Sequence, residues 1–435
     1  MERTTSPIIL DREKTGFNLN LAVVGAGISG LVTAYVLGQR HNVTVFESAD
    51  YAGGHANTVS VRDQTRQLNI DTGFIVFNES NYPLLCRLFS ALNVQSTKSD
   101  MSFSVVCEKS KREYNGENLN SLFAQRSNIF RPDFWHMLTD ILRFNRSASR
   151  FGTKTLAGDL TVAQYVSQQG YGSSFIDQYL VPLGSSLWSC SSQQFKSFPI
   201  RFVIEFLENH GMLKLANRPT WLTVTGGSQQ YVKKITNLLG KNLFTTTAAR
   251  KIYRKPRSVE VELTNGHRQT FDEVILATHA DTSLQLLAGP DDIERETLES
   301  FPYQDNHVCL HTDTRVLPNR KPAWASWNYR IPANDLDPVS VSYNMNRLQA
   351  LDVTTTYCVS LNQIRNIAPE KIIQRMTYRH PVFGGCRDAA QSNHQHLIRK
   401  NRISYCGAYW GHGFHEDGIR SGLTVAKAFD TEPPF

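Results

Sequence analysis

Three sets of residues in this 435-residue chain could do chemistry together: a glycine triplet, an acid that follows it, and several histidines. Gly25-Ala26-Gly27-Ile28-Ser29-Gly30 has the G-x-G-x-x-G spacing. In such a loop the first glycine permits a tight turn, the second lets backbone approach a pyrophosphate, and the third lets helix and strand pack closely. Phosphates would sit on unpaired amide N–H groups at a helix N-terminus, where the helix dipole also favours negative charge. Glu47 lies seventeen residues beyond Gly30, where a carboxylate can accept hydrogen bonds from ribose hydroxyls. An acid there disfavours a 2′-phosphate, so FAD or NAD fits better than NADP. Gly53-Gly54, just past the acid, allows backbone to pass against phosphates or a flavin ring. His279, His311, His412 and His415 are candidate general bases, because imidazole titrates near neutrality. Each also fits an ordinary structural histidine. The seven cysteines form no C-x-x-C pair, so neither a zinc site nor a disulfide framework is indicated, and a reducing cytoplasm is the expected setting.

These residues need elements to hold them. Leu21 to Val24 reads as an apolar strand, Leu31 to Arg40 as a helix, and Val43 to Phe46 as a second strand ending on Glu47, which together make a β-α-β unit. The same stretch, 21–38, carries no charge and is long enough for a membrane span. Gly25, Gly27, Ser29, Gly30 and Thr33 would make a poor lipid face, which favours the β-α-β reading. Residues 1–18 read as a loose extension, with no small-residue cleavage site of a signal peptide.

Further along, Leu68 to Phe77 resembles a strand interrupted by Asp71-Thr72-Gly73, and Asn81 to Leu92 has helical apolar spacing. Amphipathic stretches at 130–144, 161–169 and 198–215 predict a helical insertion. Trp221 to Ser228 leads into a helix through Leu239, followed by a strand at Arg250 to Tyr253. Val259 to Phe271 reads as a hairpin on Asn265-Gly266, and Asp272 to Ala280 as a buried parallel strand. Segments at 306–312, 323–329 and 339–345 fit a sheet carrying Trp324, Trp327, Tyr329 and Tyr343, which suits an apolar substrate wall or an ordinary core. At the end, strand Ile403 to Cys406, a glycine-rich loop Gly407 to Gly418 and a helix Ile419 to Phe429 predict a second helix N-terminus that can face a flavin.

The expected class is α/β: a Rossmann-type nucleotide-binding domain from 19–100, 221–290 and 396–435, and a discontinuous substrate domain from 101–220 and 291–395, combining a mixed sheet with the helical insertion. The formal net charge of +7 could attract an anionic membrane surface or acidic substrates. No compact basic run with interleaved aromatics points to nucleic acid.

The glycine triplet, Glu47, Gly53-Gly54, Trp221 to Gly227, the strand Ile275 to Thr278 and the closing motif Gly407 to Gly422 resemble, in that order, the FAD-containing amine oxidase and phytoene desaturase superfamily. Several strings are similar to a narrower group of bacterial NAD/FAD-binding proteins related to the oxidase-like N-terminal domain of plant cyclopropane fatty acid synthases. They include Gly53 to Thr58, Asp71 to Asn78, Ala277 to Asp281, Trp324 to Tyr329, Tyr343 to Asn346 and Gly413 to Gly418. The resemblance implies an amine-oxidase-like fold and noncovalent FAD, since Cys406 is not in the Ser-Gly-Gly-Cys context of covalent attachment. It places the pyrophosphate on Gly25, Ala26, Gly27, Ile28, Ser29 and Gly30, the ribose on Glu47, and Gly53, Gly54 and His55 along phosphates and flavin. Gly407, Glu416, Asp417, Gly418 and Ile419 would lie near the flavin, with Ile252 and Thr278 as further cofactor contacts. His55 stands where many amine oxidases carry arginine, which weakens an amine substrate. The resemblance implies desaturation of a methyl-branched or cyclopropane-type acyl lipid by hydride transfer to flavin. Two alternatives stay open: an amine or polyene oxidase, and a non-catalytic FAD-binding partner of a lipid methyltransferase.

Overall fold

A computed structural model describes residues 18–151, 160–214, 218–333, 340–384 and 386–435. The expected N-terminal extension lies almost entirely outside them. Two sheets carry the architecture. The first is a five-stranded, all-parallel sheet in the order Leu243–Phe244, Asn42–Phe46, Asn20–Val24, Glu273–Leu276, Ile403–Tyr405. Its central strands are almost wholly buried (Leu21, Ala22 and Val23 have no exposed surface), which explains their continuous apolar runs. The chain enters this sheet from three separate stretches of sequence.

The 21–38 stretch is not a span. It splits into the strand Asn20–Val24 and a ten-residue helix, Ile28–Leu37, and no described helix is long and apolar enough to cross a membrane. This opening helix starts three residues earlier than its apolar spacing suggests. All ten of its residues are buried, because the closing helix His415–Lys427 covers its other side. Small residues make that crossing possible. A Cβ on Gly422 would stand 2.6 Å from Thr33 Oγ1 and 2.9 Å from the Ser29 carbonyl oxygen. One on Gly418 would stand 2.9 Å from Ile28 Cγ2 and Ser29 Oγ.

The second sheet has seven strands in the order Ile372–Pro381, Tyr303–His311, Cys358–Leu361, Ser340–Asn344, Trp327–Ile331, Phe103–Cys107, Arg112–Asn115. It is mixed: Trp327–Ile331 runs parallel to Phe103–Cys107, and the other neighbours are antiparallel. Four of these strands (Phe103–Cys107, Arg112–Asn115, Cys358–Leu361 and Ile372–Pro381) carry no sequence expectation above. Helices Pro132–Phe151, Val162–Gln168, Val181–Trp188 and Ile200–Asn209 form a block with its own core around Phe134, Phe144, Phe175, Phe198 and Phe202.

Candidate functional site

The carboxyl ends of the parallel strands open on one continuous cleft of about 510 Å³, which runs on between the helical block and the seven-stranded sheet. Ligands in open α/β sheets collect at such strand ends. The glycine loop lines its near wall. Gly25 has φ +104°, and a Cβ there would lie 2.8 Å from the Ala277 carbonyl oxygen, so only glycine fits the turn. A Cβ on Gly27 would meet nothing within 4 Å, because that side faces the cleft. The opening helix has no side-chain cap, and its first backbone bond runs from Leu31 N–H to the Gly27 carbonyl. The N–H groups of Ile28 and Ser29, both cleft-lining, are therefore left for a ligand. The Gly30 position brings its Cα close over Gly25, where a Cβ would sit 1.9 Å from the Gly25 oxygen; its part is packing.

Glu47 closes this corner. Its Oε2 accepts from Ala26 N–H at 2.7 Å and its Oε1 from Ala49 N–H at 2.9 Å. Ala26 thus acts through Glu47, and its own side chain is buried off the cleft. Gly53, with φ +123°, donates its N–H to the Ala26 carbonyl and pairs with Gly27 in a short parallel bridge. That contact lays Gly54 and His55 along the floor.

Of the proposed bases, His279, His412 and His415 line the cleft. His311 does not: it is fully buried, with Nε2 bonded to Ser360 Oγ at 2.8 Å and Nδ1 accepting from Asp313 N–H at 3.0 Å. Both ring nitrogens are satisfied, so His311 is structural. His279 stacks on Tyr303 at 4.4 Å, and His415 stacks on Phe74 at 3.7 Å while its Nε2 meets Tyr231 Oη at 3.1 Å. His55, His210 and His380 line the cleft as well. His55 packs 4.9 Å from Tyr378 and 5.0 Å from His380, ring centre to ring centre. Burial lowers all six imidazoles: His210, His279, His380 and His412 to about 4, His415 to about 3, and His55 well below its ordinary value, with its histidine neighbours adding repulsion. They are neutral at neutral pH and able to take a proton.

His210, Tyr378 and His380 are absent from the sequence reading. Tyr378 and His380 share one face of the edge strand Ile372–Pro381 by the period of two.

Other expected cofactor contacts fall elsewhere. The closing helix begins at His415, four residues before its expected start, so Glu416 and Asp417 sit in its first turn. Glu416 accepts from Leu84 and Leu85 N–H, capping the helix Pro83–Ala91, and Asp417 accepts from His412 and Phe414 N–H. Neither carboxylate lines the cleft; both brace its wall. Gly418 gives the helix crossing its space, and Ile419 is buried in the core behind it. Ile252 is also in a core, its carbonyl taken by Ala288 N–H, and Ala248 and Ala249 line the cleft in its place. Gly407 and Thr278 line the cleft. Cys406 is buried against Thr33, its thiol pushed up to about 12 by burial, and does not reach the cleft.

The residues present fit FAD. Amide donors, an acid that could accept from ribose hydroxyls and a long cleft follow one another, and His55 Nε2 is buried without a protein partner along the same wall. The sequence model for flavin containing amine oxidoreductases matches residues 28–429. The chain belongs to that family. As a flavin amine oxidoreductase it is an FAD-dependent oxidoreductase, and the residues that would hold FAD are the glycine loop, Glu47 and the Gly53–His55 floor. Among curated proteins it is similar to L-amino-acid oxidases of Bungarus fasciatus and Notechis scutatus scutatus, each 21% identical over 95% and 94% of this chain and 87% and 86% of theirs. Among solved structures it shares the fold of a fatty acid isomerase producing CLA from P. acnes (TM-score 0.69, 16% identity, 97% of this chain and all of that one). A putative protoporphyrinogen oxidase from Exiguobacterium matches at TM-score 0.69 and 13% identity, over 95% of this chain and 98% of that one. A putrescine oxidase matches at 0.66 and 13%, over 95% and 99%.

Proposed function

We propose that this flavin amine oxidoreductase oxidises an uncharged, apolar substrate, of the class of methyl-branched or cyclopropane-type fatty acyl lipids, by desaturation. The observation that carries this is the charge inventory of the cleft. Among the described residues its only charged side chains are Glu47, engaged with the glycine loop, and Arg379, paired with Asp281 at 2.6 Å and Asp305 at 3.1 Å. An alkylammonium would meet no free carboxylate, and an amino acid's carboxylate no free cation. Burying either ion unpaired costs several kcal/mol or more.

What the cleft offers is apolar surface. Leu187, Trp188, Phe206 and Met212 come from the helical block, and Val308, Trp327, Tyr343 and Leu361 from the seven-stranded sheet. Trp327 and Tyr343 are direct cross-strand partners with rings 4.8 Å apart. Bound FAD supplies a two-electron hydride acceptor. The chain's part is to hold the acyl chain between block and sheet, to keep water away, and to take the second hydrogen as a proton on a neutral imidazole such as His279, His412 or His415. The products are then an unsaturated acyl chain, a protonated histidine and the two-electron-reduced cofactor. Trp324, which precedes the strand Trp327–Ile331, and Tyr329 within it do not line the cleft; Trp324 donates to the Pro318 carbonyl and Tyr329 packs in the core. The likeness to a fatty acid isomerase supports an acyl-sized cleft on this fold. Total lipids from cells lacking the protein, incubated with the purified FAD-loaded protein and an electron acceptor, should gain acyl species lighter by two hydrogens. Unchanged lipids alongside turnover of an amine would refute the reading.

A further inference from the structure

We propose that the surface formed by residues 119–142 docks the protein on an anionic bilayer. Among the described residues few large apolar side chains are exposed, and five of the seven lie here: Leu119 (75% exposed), Phe130 (85%), Trp135, Ile129 and Leu142. Local bonds hold them on adjoining turns. Arg126 donates to Asn120 Oδ1 at 2.8 Å, tying the turn Arg126–Phe130 to the short helix Leu119–Leu122. Trp135 Nε1–H donates to the Ile129 carbonyl at 2.8 Å, and the Trp135 ring packs 5.6 Å from Phe123. Leu142 follows Trp135 by seven residues, two turns along the same face of the helix Pro132–Phe151.

Charge selects the partner. Exposed Lys111 sits on the hairpin turn beside this surface, which Gln125 Nε2–H holds by donating to the Lys111 carbonyl at 3.0 Å. Arg126 and Arg146 are exposed on the same segment, and Arg131 reaches the Ser110 carbonyl. The neighbouring acids are engaged: Glu113 by Arg320, Glu117 by Arg347, Asp133 by Arg112 and Asp140 by Arg143. Protruding phenylalanine, tryptophan and leucine ringed by cations match the boundary between acyl chains and anionic headgroups. The proposal stands on this surface alone and does not depend on the substrate assignment.

The test is co-sedimentation of the FAD-loaded protein with vesicles of phosphatidylcholine alone or mixed with phosphatidylglycerol. The protein should sediment with the mixed vesicles, not the neutral ones, and less as salt rises. Leu119→Ser with Phe130→Ser should weaken partition by about tenfold or more, since each buried side chain of this size is worth ~1.5–3 kcal/mol. Lys111→Gln with Arg146→Gln should weaken it about fivefold per cation, at ~1 kcal/mol each. Unchanged flavin absorbance and melting temperature show that the variants are folded, and the Lys111/Arg146 pair serves if the apolar pair is not. No sedimentation with anionic vesicles overturns the proposal, as does sedimentation that both pairs leave intact. A lipid-free dimer dissolved by the Leu119/Phe130 pair would assign the face to a second copy of the chain and overturn it too.

Discussion

Glu47 Oε2 accepts the Ala26 amide at 2.7 Å, so the acid at the tip of the second strand fixes the glycine loop and lines the cofactor cleft at once. The two tasks are separable by substitution. Glu47→Gln keeps the size but loses the charge-assisted bonds, worth about 1.5–3 kcal/mol each. Apoprotein titrated with FAD should show a dissociation constant raised about tenfold to a hundredfold by this change. An unchanged constant would mean that the acid serves the loop alone.

The crossing of the opening and closing helices leaves no room at Gly422. Gly422→Ala should lower stability by about 1–3 kcal/mol through overpacking. Thr33→Ala removes the nearest obstructing atom, so the double variant should recover part of that loss, a coupling read from denaturant midpoints. Strict additivity of the two changes would show that the helices separate to make room.

Eight histidines, His311 buried and His55, His210, His279, His380, His394, His412 and His415 half-buried, have pKa values lowered by desolvation in the folded protein. The unfolded chain binds protons near pH 6.5 that the folded one refuses until about 4, so stability falls as pH drops through that window. Their contribution is present above pH 6.5 and lost on acidification. Asp71, raised to about 6 by burial, acts oppositely between 3.8 and 6 and offsets only a part. Melting temperatures should therefore drop steeply below pH 6.5. A flat profile down to pH 4.5 would contradict the neutral, desolvated state of these rings.

The same shifts set the kinetics. With cleft imidazoles neutral above about pH 4, the rate of flavin reduction by substrate should stay level from pH 8 to 6 and decline only toward the histidine values. An acid limb centred near pH 6.5 would show that the base is an exposed, ordinary group outside this cleft.

The nucleotide-binding unit was legible because its signal is local: turn glycines, helix and acid fall within residues 21–47. What stayed hidden depends on distant partners. The strand Ile372–Pro381 is an edge strand with mostly polar, half-exposed residues, so no apolar alternation marks it or brings Tyr378 and His380 to notice. Glu416 has the sequence setting of an acid facing a cofactor at a helix start. Its actual partners, the amides of Leu84 and Leu85, lie 332 and 331 residues away. His311 is set apart from the cleft histidines by full burial and by its bond to Ser360 on the neighbouring strand. No spacing within one segment reveals such contacts.

The most direct test of an uncharged, apolar substrate is anaerobic titration of the FAD-loaded protein, followed by visible absorbance. Phospholipids carrying methyl-branched or cyclopropane acyl chains should bleach the flavin bands, while putrescine and L-amino acids leave them unchanged. Bleaching by the amines but not by the lipids would contradict the account.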